Sequence, residues 1–163
     1  MKKEGMETSV LSGLDGWHYW TGQFLLNFGM VEHLVFVLLR NTLPGGVSES
    51  LRDANLELRW ERLLKLLPAD EATAKWLKSL EEQTQALTEM RRMRNRLAHG
   101  FLLETVAEDL KSATCRIVQV KDWDRPYESE VWSLSYDELA NACQKLNPLI
   151  EALSGLAGFQ ERA

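Results

Sequence analysis

The sequence predicts an all-α protein, a bundle of four main helices with a small β-hairpin inserted between the last two. Apolar residues recur at three- and four-residue spacing in long segments, which is typical of helices that bury one face. Two short runs rich in β-branched and aromatic residues indicate the hairpin. With 163 residues, the chain is long enough to form one domain with its own core. We expect residues 1–14 to form a flexible N-terminus and residues 15–163 to form this domain.

The first helix is expected from about Trp17 to Arg40. Nearly all of its positions are apolar, so we expect neighbouring helices or a second chain to cover it on most sides. The most apolar part, Phe24 to Leu39, is shorter than the roughly 20 residues that a membrane span needs. It also contains polar residues such as Glu32. The pattern therefore favours a buried helix over a membrane span.

Two further helices follow before the hairpin. One covers about 53–67 and is closed by Pro68. The next is the longest, about 71–99, with Asp70 as its N-cap and Gly100 as a common C-terminal stop residue.

The hairpin and the last helix complete the prediction. Cys115 to Lys121 and Glu130 to Ser135 are the expected strands, so that the hairpin spans about 114–135. Ser135 and Glu138 have the spacing of a capping box, which predicts a last helix that runs to about Leu156.

Charge and cysteine content exclude several classes of protein. The net charge is −5, which argues against the broad basic face expected of proteins that bind double-stranded DNA or anionic membranes. Cys115 and Cys143 form no CxxC pair and are expected to be buried free thiols. No metal site or cofactor is expected, and the lack of a signal peptide at the N-terminus favours a cytoplasmic location.

The segment from Arg91 to Gly100 (RRMRNRLAHG) carries the main candidate site. Each helical residue advances by about 100°, which places Arg94 about 20° from Leu87, the centre of the apolar face. Leu97 and Ala98 fall on the same face. Asn95 and His99 are adjacent on one flank, and Arg96 is expected to point to solvent.

A charge on an apolar face usually has a partner of opposite charge. Glu32 lies among apolar residues of the first helix, so we expect it to pair with Arg94 or Arg91. If that pair is buried, Glu32→Ala should cost about 3–5 kcal/mol. A purely structural explanation is also open, because basic residues in a last helical turn complement the helix dipole.

The segment Arg94-Asn95-Arg96-Leu97-Ala98-His99 resembles the R-N-x-x-x-H signature of the HEPN superfamily. This resemblance is specific over about seven residues, Gly100 included. It implies a helical homodimer in which two motifs share one cleft, and metal-independent cleavage of single-stranded RNA. Such proteins commonly act in toxin–antitoxin or phage-defence systems, often with an antitoxin or other regulatory protein as partner.

The resemblance also implies roles for individual residues. Arg94 would stabilise the phosphate, His99 would act as general base or acid, and Asn95 would orient the imidazole or bind a phosphate oxygen. Arg91 and Arg92 would contact RNA phosphates. HEPN toxins that are silenced by nucleotidyl transfer often carry a tyrosine two positions after the histidine, where this chain has Phe101.

An alternative function remains open at this point. Some HEPN relatives are inactive and serve as interaction or regulatory modules, and the mannitol-repressor family carries a similar RN-x-x-AH segment. The other histidines offer less: His18 is expected to pack, and His33 beside Glu32 is not expected to bind metal, because adjacent helical positions diverge.

Overall fold

The computed structural model describes residues 14–67, 71–104, 114–120 and 129–160. Its helices are α1 (Leu14–Thr42), α2 (Glu49–Arg52), α3 (Leu56–Leu66), α4 (Glu71–Glu82), α5 (Thr84–His99) and α6 (Tyr136–Gln160). Its strands are β1 (Phe101–Glu104), β2 (Thr114–Val120) and β3 (Ser129–Ser135). The chain is therefore mostly helical, with an antiparallel hairpin between α5 and α6, as the sequence predicted. The predicted N-terminus, Pro68, Asp70 and the turn of the hairpin lie outside the described residues.

Helices α1 and α6 form the centre of the fold. They pack against each other, α1 also contacts α3 and α5, and α4 packs on α6. Apolar positions of α1 that recur at helical spacing are fully buried. These positions are Phe24, Phe28, Val31, Val35, Leu38 and Leu39. The exclusion of their apolar surface from water is the main stabilising contribution to this core.

Both cysteines are buried thiols outside any disulfide, as predicted. Cys143 lies on α6, and its thiol donates a hydrogen bond to the carbonyl of Trp20 over 3.4 Å. Burial raises the pKa of the Cys143 thiol to about 11, because a thiolate would lose its hydration there. This thiol therefore stays protonated at neutral pH.

The predicted third helix is wrong as one continuous element, because it divides at Gln83 into α4 and α5. The Gln83 N–H is shared between the carbonyls of Ser79 and Leu80, at 3.3 and 3.2 Å, which tightens the turn. The Thr84 hydroxyl donates to the Leu80 carbonyl and accepts from Trp60 Nε1 over 3.1 Å. This side-chain bonding competes with the regular helical pattern, and α4 and α5 then pack mainly on different partners.

Two helix ends are set by side-chain caps. Asn55 Oδ1 accepts from the Leu58 N–H over 2.9 Å, so α3 begins at Leu56 rather than near residue 53. The short helix α2 before it was not predicted. The predicted capping box of α6 is present, with the Ser135 N–H donating to Glu138 Oε2 over 2.7 Å.

The sheet has three strands in the order β1-β2-β3, all antiparallel. The predicted strands pair with Cys115 opposite Leu134 and Ile117 opposite Trp132. Cys115, Ile117 and Leu134 are buried, so one face of the sheet covers the helices. Strand β1 was not predicted, and only Gly100 separates it from His99, the last residue of α5.

The junction between α5 and β1 depends on Gly100. Its backbone is extended, with φ −97° and ψ 158°, so α5 does not end in a left-handed glycine. A Cβ at this position would overlap the Ile117 side chain and come within 2.5 Å of the Arg96 carbonyl oxygen. Gly100 therefore allows the end of α5 to approach β2 closely.

Helix α1 is long and apolar enough to cross a membrane by length and composition alone, over Gly16–Thr42. A long core helix of a soluble protein meets the same criteria. About 33% of its most apolar window is buried within the structure.

Candidate functional site

The contact between α1 and α5 brings Glu32 and Arg94 together, as predicted. Arg94 Nη2 lies 3.9 Å from Glu32 Oε2, and Arg94 Nη1 donates a hydrogen bond to Asn95 Oδ1 over 3.1 Å. The two charged side chains are 35% and 31% exposed. The expected burial of this pair is therefore wrong, and water weakens the attraction. The guanidinium is held in place by two groups and remains accessible.

The two arginines before the motif have different surroundings. Arg91 Nε forms an ion pair with Glu57 of α3 and does not take up the alternative pairing with Glu32. Arg92 is exposed. Arg92 is thus placed where it could meet a ligand, whereas Arg91 also links α5 to α3.

Arg96 does not point to solvent as expected. Its guanidinium lies over the Trp132 ring, 4.8 Å from the ring centroid, and Arg96 Nη2 lies 3.7 Å from Glu130 Oε1. Both residues belong to β3. The angular position of Arg96 directs it away from the helices that pack on α5. The sheet covers that side of α5 instead, and the position of the sheet does not follow from helical spacing.

The last turn of α5 is open. Leu87 and Met90 are buried on the apolar face, whereas Leu97 is half-buried and Ala98 on the same face is exposed. His99 is exposed as well, and no hydrogen bond or ion pair joins it to another residue of the described ranges. Its imidazole is therefore free to meet a ligand at this end of the helix.

A cavity of about 160 Å³ lies beside this open end. It is lined by His18 and Thr21 of α1, Leu97 of α5, Gly100 and Ile117. His18 was expected to pack, but its side chain is exposed and lines this space. Sequence reasoning missed the cavity because it forms only where α1, the end of α5 and β2 meet.

A second, larger cavity of about 300 Å³ lies between α5, β3 and α6. Met90, Met93, Trp132 and Leu134 contribute its apolar walls. None of Arg94, Asn95 and His99 lines it, so it is separate from the motif.

Helix α1 presents an exposed apolar face beside the site. The face consists of Tyr19, Leu26 and Met30, which are 50%, 72% and 49% exposed. Relative to the buried Phe28, Glu32 lies at about 40°, His18 at about 80° and Leu26 at about 160° around the helix, all in one direction. The exposed face therefore continues directly from the side of α1 that meets α5.

This arrangement combines groups that suit phosphate chemistry. Arginine presents a planar array of donors to a phosphate, an amide can donate or accept, and an imidazole exchanges protons near neutral pH. No cluster of three residues able to bind a metal lies within the described ranges.

Comparison of the chain with protein-family models, curated proteins and solved structures finds no match. The motif of α5 and its surroundings are therefore the basis for any functional assignment.

Proposed function

We propose that the protein is a HEPN-like, metal-independent endoribonuclease that acts on single-stranded RNA as a homodimer. One observation carries the proposal: Arg94 is held by Glu32 and Asn95 beside an open helix end on which His99 is exposed. A positioned cation and an accessible base on one helix end are what RNA cleavage without a metal requires. In this proposal the helices form a four-helix HEPN-type bundle.

The reaction uses the 2′-hydroxyl of RNA as its nucleophile. One His99 removes the 2′-hydroxyl proton, and the 2′-oxygen then attacks the adjacent phosphorus. The bond from phosphorus to the 5′-oxygen breaks, and the His99 of the second protomer donates a proton to that oxygen. The products are a 2′,3′-cyclic phosphate and a 5′-hydroxyl. Arg94 stabilises the negative charge that grows on the phosphate, and Asn95 keeps the guanidinium in position.

The exposed face of α1 supports the homodimer. Tyr19, Leu26 and Met30 expose large apolar side chains on a helix whose opposite side is fully buried. Two-fold symmetric packing is the most common assembly of soluble proteins, and it would remove these side chains from water. Because this face adjoins the side of α1 that meets α5, the same packing would bring two motifs towards one cleft.

The resemblance to the HEPN superfamily also suggests a biological role. A ribonuclease of this type would act in the cytoplasm as a toxin or phage-defence component, and an antitoxin or regulatory protein would restrain it. Phe101 stands where some relatives carry the tyrosine that a nucleotidyltransferase modifies, so this mode of silencing is not proposed.

The decisive experiment is cleavage of unstructured RNA by the purified protein in the presence of EDTA. We expect cleavage by wild-type protein and a loss of about 10²–10⁴-fold in His99→Ala, the usual contribution of general acid–base catalysis. Lys78→Ala is the control, since Lys78 is an exposed residue of α4 that lies outside both the motif and the exposed face of α1. Resistance of every RNA to wild-type protein would contradict the proposal.

A second candidate function is a non-catalytic dimeric interaction module. The observation that favours it is the ion pair itself, because Glu32 partly neutralises Arg94 in the absence of RNA. In this case the motif would stabilise the α1–α5 contact. Wild-type and His99→Ala protein would then both leave RNA intact and bind a protein partner equally well.

A further inference from the structure

The cavity beside the motif has a defined position relative to the proposed chemistry. It lies between α1, the end of α5 and β2, and Gly100, the residue after His99, forms part of its wall. Leu97, another wall residue, is one turn from Arg94 along α5. A strand whose phosphate meets Arg94 would therefore lie within about one helical turn of this cavity.

The size of the cavity limits what it can hold. Its volume is about 160 Å³. A cavity of about 150 Å³ in another protein binds benzene, so the space fits one six-membered ring. The space opens to solvent on one side, so a larger group would extend outside it.

The lining combines apolar walls with a hydrogen-bonding edge. Leu97 and the buried Ile117 supply apolar contact. The Thr21 hydroxyl donates and accepts hydrogen bonds, and so does the neutral imidazole of His18. A flat ring with apolar faces and a polar edge matches this lining, and an imidazole can also stack on such a ring.

We propose that this cavity is a subsite for a pyrimidine base of the RNA strand, with His18 and Thr21 as its specificity-determining residues. The inference rests on the proposed function, because it takes single-stranded RNA as the ligand. A pyrimidine enters as a single ring, and His18 and Thr21 bind its polar edge. A purine has a second fused ring, part of which would lie outside this space in water. His18 positions the substrate and takes no part in the proton transfers at His99.

Binding is tested separately from cleavage with oligonucleotides that lack the 2′-hydroxyl. Fluorescein-labelled deoxyuridine and deoxyadenosine 12-mers are titrated with wild-type protein in EDTA, and fluorescence anisotropy gives each Kd. We expect the deoxyuridine 12-mer to bind about 10-fold more tightly, in line with the discrimination that pockets achieve against small excess groups.

Substitutions then locate the preference in the cavity. His18→Ala should weaken deoxyuridine binding about 10-fold and leave deoxyadenosine binding unchanged, so that the preference disappears. Thr21→Val keeps the side-chain shape and removes the hydroxyl. It should also reduce the preference for the deoxyuridine 12-mer. His33→Ala is the control on the same helix and should retain it. Both His18 and His33 are exposed, so neither substitution disturbs the core.

The outcomes distinguish this inference from the proposed ribonuclease activity. A pyrimidine preference that requires His18 supports the subsite even if no RNA is cleaved. Equal binding of the two oligonucleotides by wild-type protein, or equal weakening of both by His18→Ala, overturns the subsite. Equal cleavage of RNA after purines and pyrimidines would support the ribonuclease activity and overturn the pyrimidine subsite.

Discussion

At the scale of single residues, the Glu32–Arg94 ion pair was predictable and its environment was not. Helical spacing placed both charges on faces that meet, and they form a pair. Helical spacing could not show that no other element covers this part of the α1–α5 contact. Both side chains are therefore about one-third exposed. Arg96 and His18 were misjudged for a related reason, since β3 and the cavity at the end of α5 come from distant parts of the chain.

The exposure of the pair sets the expected effect of Glu32→Ala. We expect a loss of at most about 1 kcal/mol in the free energy of unfolding, because solvated ion pairs contribute little. Urea unfolding measures this loss. The free energy of unfolding of Glu32→Gln should lie between those of Glu32→Ala and the wild type. A loss of about 3–5 kcal/mol would show that the pair is shielded from water in the assembled protein.

Cys143 provides a pH-dependent contribution to stability. Its pKa is about 11 in the folded protein and 9.0 for an ordinary thiol, so the unfolded chain loses this proton first as pH rises. The contribution is fully present below pH 9 and is lost as pH rises towards 11. At pH 10 the loss is about 1.4 kcal/mol, which corresponds to one pKa unit.

The matched comparison for Cys143 is Cys143→Ala. Urea unfolding of both proteins at pH 8 and pH 10 isolates the thiol, because other titrating groups cancel in the difference. The stability difference between wild type and variant should change by about 1.4 kcal/mol between these pH values. An unchanged difference would show that the thiol is hydrated.

At the scale of elements, local signals predicted the long helices α1 and α6 and the strands β2 and β3, which are rich in β-branched and aromatic residues. The capping box of Ser135 and Glu138 lies within four residues, so the start of α6 could be identified. The break at Gln83 depends on Trp60, a residue of another helix that bonds Thr84. Strand β1 is only four residues long and depends on pairing with β2, so it has little local signal.

The junction between α5 and β1 should be sensitive to Gly100→Ala. The added Cβ would overlap Ile117 and the carbonyl of Arg96, so the end of α5 must move away from β2. We expect a loss of about 1–3 kcal/mol, typical of overpacking, measured by urea unfolding. Gly158→Ala is the control, because no atom lies within 4 Å of an added Cβ there and alanine favours the helix. Equal effects of the two substitutions would contradict the close approach.

At the scale of the whole molecule, the proposed dimer rests on the exposed face of α1 and the open end of α5. The sequence predicted an unusually apolar first helix, and the structure locates its uncovered side at Tyr19, Leu26 and Met30. Helical spacing could not predict whether a second chain packs there, because it describes positions within one helix only.

The proposed dimer is tested by Leu26→Glu. Leu26 is 72% exposed in the single chain, so the fold should tolerate glutamate, which is also a good helix former. A charge at the centre of a symmetric apolar contact should dissociate it. Light scattering at micromolar concentration should therefore show a dimer for wild type and a monomer for Leu26→Glu.

Leu58→Glu is the matched control for this experiment. Leu58 is also an exposed leucine, at 52%, but it lies on α3 away from the exposed face of α1. The control should remain dimeric. A wild-type protein that is monomeric at this concentration would contradict the shared cleft.

The most direct test of ribonuclease activity uses a DNA 12-mer that contains one ribouridine. Wild-type protein in EDTA should cut this substrate only after the ribonucleotide, because only that position supplies a 2′-hydroxyl. Mass spectrometry should find a 2′,3′-cyclic phosphate on one product and a 5′-hydroxyl on the other, and His99→Ala should yield neither. An intact substrate with folded, dimeric protein, or cutting at deoxynucleotides, would contradict the account.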